Sequence, residues 1–217
     1  MKKSIAALLA IALIITSVFT VNFITFAEDT ETTTPTLLAK TGTDVPASWD
    51  NQGDLLNGEG SVTQITLNSN ELIYTSGYTT VSKYVYAGTS TNTDYKKQLS
   101  PKRALNNAVD ISATRDTTYL RTFVRVPQDT QITFWLATDW SSKDSVTVDV
   151  KAVNGGAGYA EVVVPLTDCI NTESFKHIFV GLANYNEAAN IKQIYVSSVE
   201  VWSGKPNSVL TAAQEKS

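Results

Sequence analysis

The chain has 217 residues, 42% hydrophobic, 9% aromatic and 18% charged, a globular composition with enough length to bury a core without disulfide staples. Two of its 17 basic residues, Lys2 and Lys3, lie in an N-terminal stretch that reads as removable; the remaining 190 residues carry 21 acids against 15 bases, a net of −6, which excludes a general nucleic-acid binder. The single cysteine, Cys169, excludes an internal disulfide framework and a Cys-rich zinc site, and the single histidine, His177, excludes a His-pair metal site and leaves a Ser-His triad one residue to use.

Lys2 and Lys3 open the chain as a positive patch, and Ser4 to Ala27 follow with no charge and mostly apolar side chains. Ala27 stands two residues after Thr25, the small-residue spacing of a cleavage site, and acidic Glu28 comes next. Residues 1–27 are therefore expected to be a signal peptide, with an uncleaved membrane anchor as the alternative, because the stretch is long enough to span a bilayer. No cysteine follows it, so it is not a lipoprotein leader. Export without disulfides suits a Gram-positive or anaerobic bacterium, and the expected location is extracellular and cell-surface associated. Residues 28–46 contain Thr32-Thr33-Thr34-Pro35-Thr36 and read as a linker. The module is expected over 47–204, and 205–217 as a polar tail or linker toward other modules of a longer chain.

Threonine supplies 26 of the 190 residues, and with the β-branched and aromatic residues it points to strands. In chain order the expected strands are Val62–Leu67, Glu71–Tyr78, Thr80–Ala87, Ala108–Ala113, Thr117–Val126, Gln131–Thr138, Ser145–Val153, Gly158–Leu166, Phe175–Ala183 and Ile191–Trp202, each bounded by turn residues. No stretch of the module sustains a helical period. The fold class is all-β, a two-sheet antiparallel β-sandwich. Alternation places Ile132, Phe134 and Leu136 on one face and Thr133, Trp135 and Ala137 on the other. Val146, Val148 and Val150 face the core. Tyr119, Arg121, Phe123 and Arg125 share a face that, with two arginines, reads as solvated. Gly155-Gly156-Ala157-Gly158 reads as a hairpin turn and not a phosphate loop, since no helix follows it.

From Tyr159 to Trp202 the chain reads YAEVVVPLTDCINTESFKHIFVGLANYNEAANIKQIYVSSVEVW. The Val-Pro-Leu step before a loop, the strand Ile178-Phe179-Val180-Gly181-Leu182 and a closing strand ending in Val201-Trp202 resemble the second half of a jelly-roll carbohydrate-binding module. The leader, Thr-rich stalk and single module also resemble glycan-adherence proteins of Gram-positive bacteria, including starch-binding ones. The resemblance implies a jelly-roll-like sandwich that binds a polysaccharide without cleaving it, a starch-like glucan being favoured. The alternative is a cohesin-like protein-interaction module or adhesin; a small glycoside hydrolase is a third reading.

A sugar ring presents a C–H face that a flat aromatic covers and a hydroxyl rim that polar side chains bond. Such a site needs an aromatic the core does not claim. Trp140 lies in the polar run Thr138-Asp139-Trp140-Ser141-Ser142-Lys143-Asp144, and Tyr185 in Asn184-Tyr185-Asn186-Glu187. Trp135, opposite the core face, is either a platform or a ring under a covering loop; Tyr95, in Asn92-Thr93-Asp94-Tyr95-Lys96-Lys97, is a fourth candidate. Asp139, Lys143, Asn184 and Asn186 are the expected rim. Trp49 and Trp202 sit at the module's ends, where packing together is the simpler role. No cofactor is expected: Asp50, Asp54 and Glu59 read first as a surface turn, with a structural calcium as the alternative. A retaining or inverting glycosidase needs two carboxylates across a cleft, and Glu161, Glu200 and Asp149 form no evident pair. His177, between Phe175 and Phe179, reads as structural. The expected partners are a polysaccharide or oligosaccharide, no nucleic acid, and a membrane only through an uncleaved leader.

Overall fold

The computed structural model describes residues 34–42, 60–71, 73–74, 77–86, 102–138, 142–183 and 190–210, all within one compact unit, Thr34–Ser217. Its strands are β1 (Thr36–Lys40), β2 (Gly60–Thr66), β3 (Thr80–Tyr86), β4 (Lys102–Asp110), β5 (Thr118–Arg125), β6 (Thr130–Ala137), β7 (Ser142–Val150), β8 (Ala160–Pro165), β9 (Ser174–Leu182), β10 (Gln193–Val196) and β11 (Glu200–Ser203). They form a two-sheet antiparallel β-sandwich, as the strand spacing predicts. One sheet has seven strands, in the order β1-β11-β5-β10-β3-β2 with β8 also paired to β5; the other runs β4-β9-β6-β7. No helix among the described residues is long and apolar enough to cross a membrane.

The main core lies between the sheets. Ile132, Phe134 and Leu136 of β6 meet Leu120 and Val124 of β5, Val162 and Val164 of β8, Ile178, Val180 and Leu182 of β9, and Val201 of β11. Alternation thus reads β6 correctly, and Val150 is buried with Val146 and Val148 packed alongside. Phe175 also turns into this core, although it is in phase with His177 and Phe179; the β4–β9 register shifts just there, between Ala104 and Val109.

Several expectations give way to long-range packing. Thr36–Lys40, placed in the linker 28–46, is a strand. It covers the edge of β11, buries Ala39, and ties on through Thr41, whose N–H donates to the Val199 carbonyl at 2.8 Å. The described residues of Glu71–Tyr78 form turns and no strand. Glu71 accepts the Asn68 N–H at 3.0 Å, Tyr74 N–H donates to the Glu71 carbonyl at 2.9 Å, and Gly77 takes φ +88°, which an L side chain rarely adopts. The expected strand Ile191–Trp202 is two strands, β10 and β11. Ser197 breaks the ladder because its hydroxyl accepts the Phe123 N–H at 2.9 Å. Arg103 caps the break, donating to the Ser197 carbonyl at 2.5 Å and the Val196 carbonyl at 3.3 Å. The Gly-rich turn is closed by a Val153–Gly158 bridge, but the strands it joins lie in different sheets. A Cβ on Gly156 would sit 2.8 Å from the Pro127 backbone, so the crossing requires glycine there.

The face expected to be solvated is a second core. Phe123 has no exposure, and Arg121 is buried. Leu67, Ile73, Tyr78, Val81 and Tyr159 close over Phe123, with Tyr195, Val209 and Leu210 beside them. Val209 and Leu210 belong to the expected polar tail, so 205–210 is part of the fold.

Candidate functional site

The outer face of the four-stranded sheet carries the sugar-binding candidate the structure describes. Trp135 faces outward from β6, opposite Ser145 of β7 and Phe179 of β9. It packs with Ala137 and Phe179 and is only 9% exposed, with Thr133 buried beside it, so it is a covered ring and not an open platform. Around it the face is polar. The Thr133 and Thr147 hydroxyls bond each other at 2.8 Å, and Gln131 Nε2 donates to Asp149 Oδ1 at 3.0 Å. His177 Nδ1 lies 3.0 Å from the Thr138 carbonyl oxygen, the structural role expected of it. Gly181, opposite Thr133, leaves that position without a side chain.

Trp140, Tyr185, Tyr95, Asp139, Asn184 and Asn186 lie outside the described residues, as do Asp50, Asp54, Glu59 and Trp49; Lys143 falls in β7, but its side chain is outside them too. The strand ends that carry the aromatics are placed. β6 ends at Ala137 opposite His177, whereas β9 ends at Leu182 opposite Ile132. The chain therefore leaves toward Trp140 and toward Tyr185 at opposite ends of the sheet, five residues or about 17 Å apart along the strand.

Asp144, opposite core-facing Leu136, ties the start of β7 down on the inner side of the sheet. It accepts the Asn171 N–H at 2.8 Å, Asn171 Nδ2 at 2.9 Å and the Thr172 hydroxyl at 2.7 Å. Desolvation pushes its carboxyl up, but these bonds outweigh it and hold the group below the usual range.

Of the carboxylates weighed for catalysis, Asp149 lies on the outer face of the four-stranded sheet beside Gln131, whereas Glu161 and Glu200 sit elsewhere, on the outer face of the seven-stranded sheet. Glu200 takes Arg121 Nε at 2.9 Å and Nη2 at 2.7 Å, the Tyr78 hydroxyl at 2.8 Å and Trp202 Nε1 at 2.8 Å. Glu161 lies 3.8 Å from Arg121 Nη1 and accepts the Ser208 hydroxyl and, at 3.3 Å, the Val209 N–H. The Arg121 guanidinium also stacks 4.7 Å from the Trp202 ring centre. One arginine thus holds both carboxylates, an arrangement that fixes structure and leaves neither facing the other across an open cleft. Cys169 is no nucleophile either: burial pushes its thiol up to about 11, so it stays protonated at neutral pH. Among the described residues no group of three His, Cys, Asp or Glu side chains could hold a metal ion.

Sequence reasoning missed the Arg121 network and a cleft of about 460 Å³ beside β8, lined by Tyr159, Glu161, Val163, Lys205, Ser208 and Leu210 among others. The signal for both was the apolar pair Val209-Leu210 behind Pro206, which has no reason to exist in a solvated tail.

No protein-family model matches the chain, and no curated protein matches it. Solved structures do. A family 30 carbohydrate-binding module is similar at 14% identity and a TM-score of 0.42, over 82% of this chain and 88% of that one. The apo carbohydrate-binding module BiXyn10A CBM1 is similar at 10% identity and 0.37, over 76% of this chain and 88% of that one. The enzymatically active domain of tailspike protein 4 from bacteriophage CBA120 is similar at 13% identity and 0.36, over 80% of this chain but 20% of that one. Binding modules and an enzyme stand together here, and likeness this loose decides nothing about function.

Proposed function

We propose that the chain is a non-catalytic carbohydrate-binding module of an exported, cell-surface protein, with a starch-like glucan as its favoured ligand. One observation carries the reading. The outer face of the four-stranded sheet holds a covered aromatic pair, Trp135 against Phe179, bordered by exposed polar groups of Thr147 and Gln131, and β6 delivers the chain from there toward Trp140. Aromatic surface beside short polar pairs is what a pyranose needs, because its ring has one apolar face and a hydroxyl rim. Trp140, three residues past the end of β6, is the ring that stacks, with Asp139 and Lys143 bonding the rim. Tyr185 and Tyr95, with Asn184 and Asn186, serve the same polysaccharide further along. The locked state of Glu161 and Glu200 supports binding without turnover. Export rests on Lys2, Lys3 and the uncharged run to Ala27.

Affinity electrophoresis in gels containing starch, xylan or hydroxyethylcellulose, with a parallel reducing-end assay, tests this. Retardation in the starch gel with no new reducing ends is the expected result. Normal mobility in every gel overturns the glycan reading, and released reducing ends overturn the non-catalytic one. N-terminal sequencing of the secreted protein should begin at Glu28; a start at Met1 refutes cleavage.

A further inference from the structure

We propose that the cleft between β8 and the segment 205–210 is a second glycan subsite, taking one neutral pyranose unit on the sheet opposite Trp135. The proposal rests on the carbohydrate-binding reading and adds to it a separate place of contact. At about 460 Å³ the cleft falls within the roughly 300–1,000 Å³ in which small-molecule sites occur.

Its walls join the two surfaces a sugar ring presents. Tyr159, Val163 and Leu210 give apolar wall, while Glu161, Lys205 and Ser208 give polar groups at one rim. Glu161 is held in place by the Ser208 hydroxyl, the Val209 N–H and Arg121. A carboxylate offers about four lone-pair sites, so with the Glu161 side chain 7% exposed these ties leave room to accept from one ligand hydroxyl at the cleft wall. Lys205 is exposed and has no ion-pair partner among the described residues, so its ammonium is free to donate. One hydroxyl of a vicinal diol can donate to Glu161 while its neighbour accepts from Lys205. The two charges oppose each other, and Glu200 offsets Arg121, so nothing selects an ionic ligand.

β8 adds a further reason for this location. It is paired only with β5 among the described residues, and its Ala160, Glu161 and Val163 line the cleft. The site on β6 and this one lie on opposite faces of the sandwich, since Trp135 and Glu161 face outward from different sheets. Two sites on opposite faces let one module hold two glycan strands, which raises avidity on a polymer without any new contact.

The test uses the full ¹⁵N-labelled chain titrated with maltohexaose, cellohexaose and xylohexaose, following backbone amide shifts. At least one sugar should move two separate groups: Thr133, Trp135 and Phe179 in one, Glu161, Val163, Ser208 and Val209 in the other. Val163→Trp, which fills the cleft, should weaken the second group's response more than tenfold and leave the first alone. Lys205→Ala, at an exposed position that does not burden folding, should weaken it about threefold or more. Trp140→Ala should do the reverse. Shifts confined to β6, β7 and β9, or cleft shifts untouched by both variants, overturn the second subsite and leave the module's binding role standing. Silence with all three sugars overturns both.

Discussion

On the seven-stranded sheet the outward residues of β5 include Arg121 and Phe123, and a second layer of chain lies over them. On the four-stranded sheet the outward residues of β6 are Gln131, Thr133, Trp135 and Ala137, and their polar partners come from the neighbouring strand of the same sheet. Both faces look alike in the sequence, aromatics alternating with polar side chains. They differ in where the partners come from. Arg121 meets Glu200 from 79 residues away and Asn207 from 86, so its charge is locked under the turns at 67–78 and the segment 205–210. Thr133 meets Thr147 within one hairpin, with Thr133 buried and Thr147 exposed on the edge strand. Facing outward from a sheet is therefore not the same as facing water: Thr133, Trp135 and Ala137 are buried as Arg121 is, and the exposed part of the four-stranded face is its margin at Gln131 and Thr147.

The strongest way to break that contrast is to show that the covering layer is not a core. Phe134, between the sheets, and Phe123, outside them, are both without exposure. Each Phe→Ala change should cost about 3–5 kcal/mol. That lowers the melting temperature by at least about 6 °C in a chain of this size, read by calorimetry. A loss under about 1 kcal/mol at Phe123 alone would mean that 67–78 and 205–210 rest loosely on the sheet. Next in size, Glu200→Ala strips the partner from buried Arg121 and leaves Tyr78 and Trp202 without their acceptor. It should cost roughly 3 kcal/mol in urea unfolding. A neutral outcome would show that water already reaches the pair.

How far the fold was legible follows from the same contrast. Strict alternation in β6 and β7 reports the faces of those strands, because their partners are adjacent in sequence. Glu71–Tyr78 misleads because Ile73 and Tyr78 are apolar for the sake of Phe123, not for a ladder of their own. Arg121 misleads because no local window contains Glu200. Thr36–Lys40 is five residues in a Thr/Pro tract, and only the open edge of β11 makes a strand of it. Of the candidate site, Trp135 could be assigned its face but not its burial, since the alternation that sets direction says nothing of what packs on top. The cleft beside β8 was invisible because its rim comes from residues 159–163 and 205–210, two segments that only the fold brings together.

A smaller effect sharpens the functional side of the comparison. Stacking on an aromatic platform is worth roughly 1–3 kcal/mol by analogy with bases on aromatic side chains. Trp140→Ala should therefore weaken glucan binding about 5- to 150-fold by isothermal titration. Phe123→Ala, with the protein still folded at low temperature, should leave that affinity nearly unchanged. If Trp140→Ala instead lowers the melting temperature by many degrees and spares affinity, Trp140 plugs the core and the stacking ring is elsewhere.

The smallest effect concerns Asp144, which ties β7 to Asn171 and Thr172 through three hydrogen bonds. Its folded-state pKa is depressed, so its contribution is full above the unfolded-state value of about 3.9 and is lost as pH falls through the lower folded value. Asp144→Asn keeps the size but removes the charge and turns one accepting oxygen into a donating amide, so at least one of these bonds is lost. At pH 7 it should cost about 1–2 kcal/mol. The gap between variant and wild type should then close as pH is lowered from 6 toward 2, because the wild-type carboxyl becomes neutral as well. Paired melting curves across that range read the closure directly. A gap that stays constant would mean that the bonds act through shape alone, and the four-stranded sheet would then owe nothing to charge at this edge.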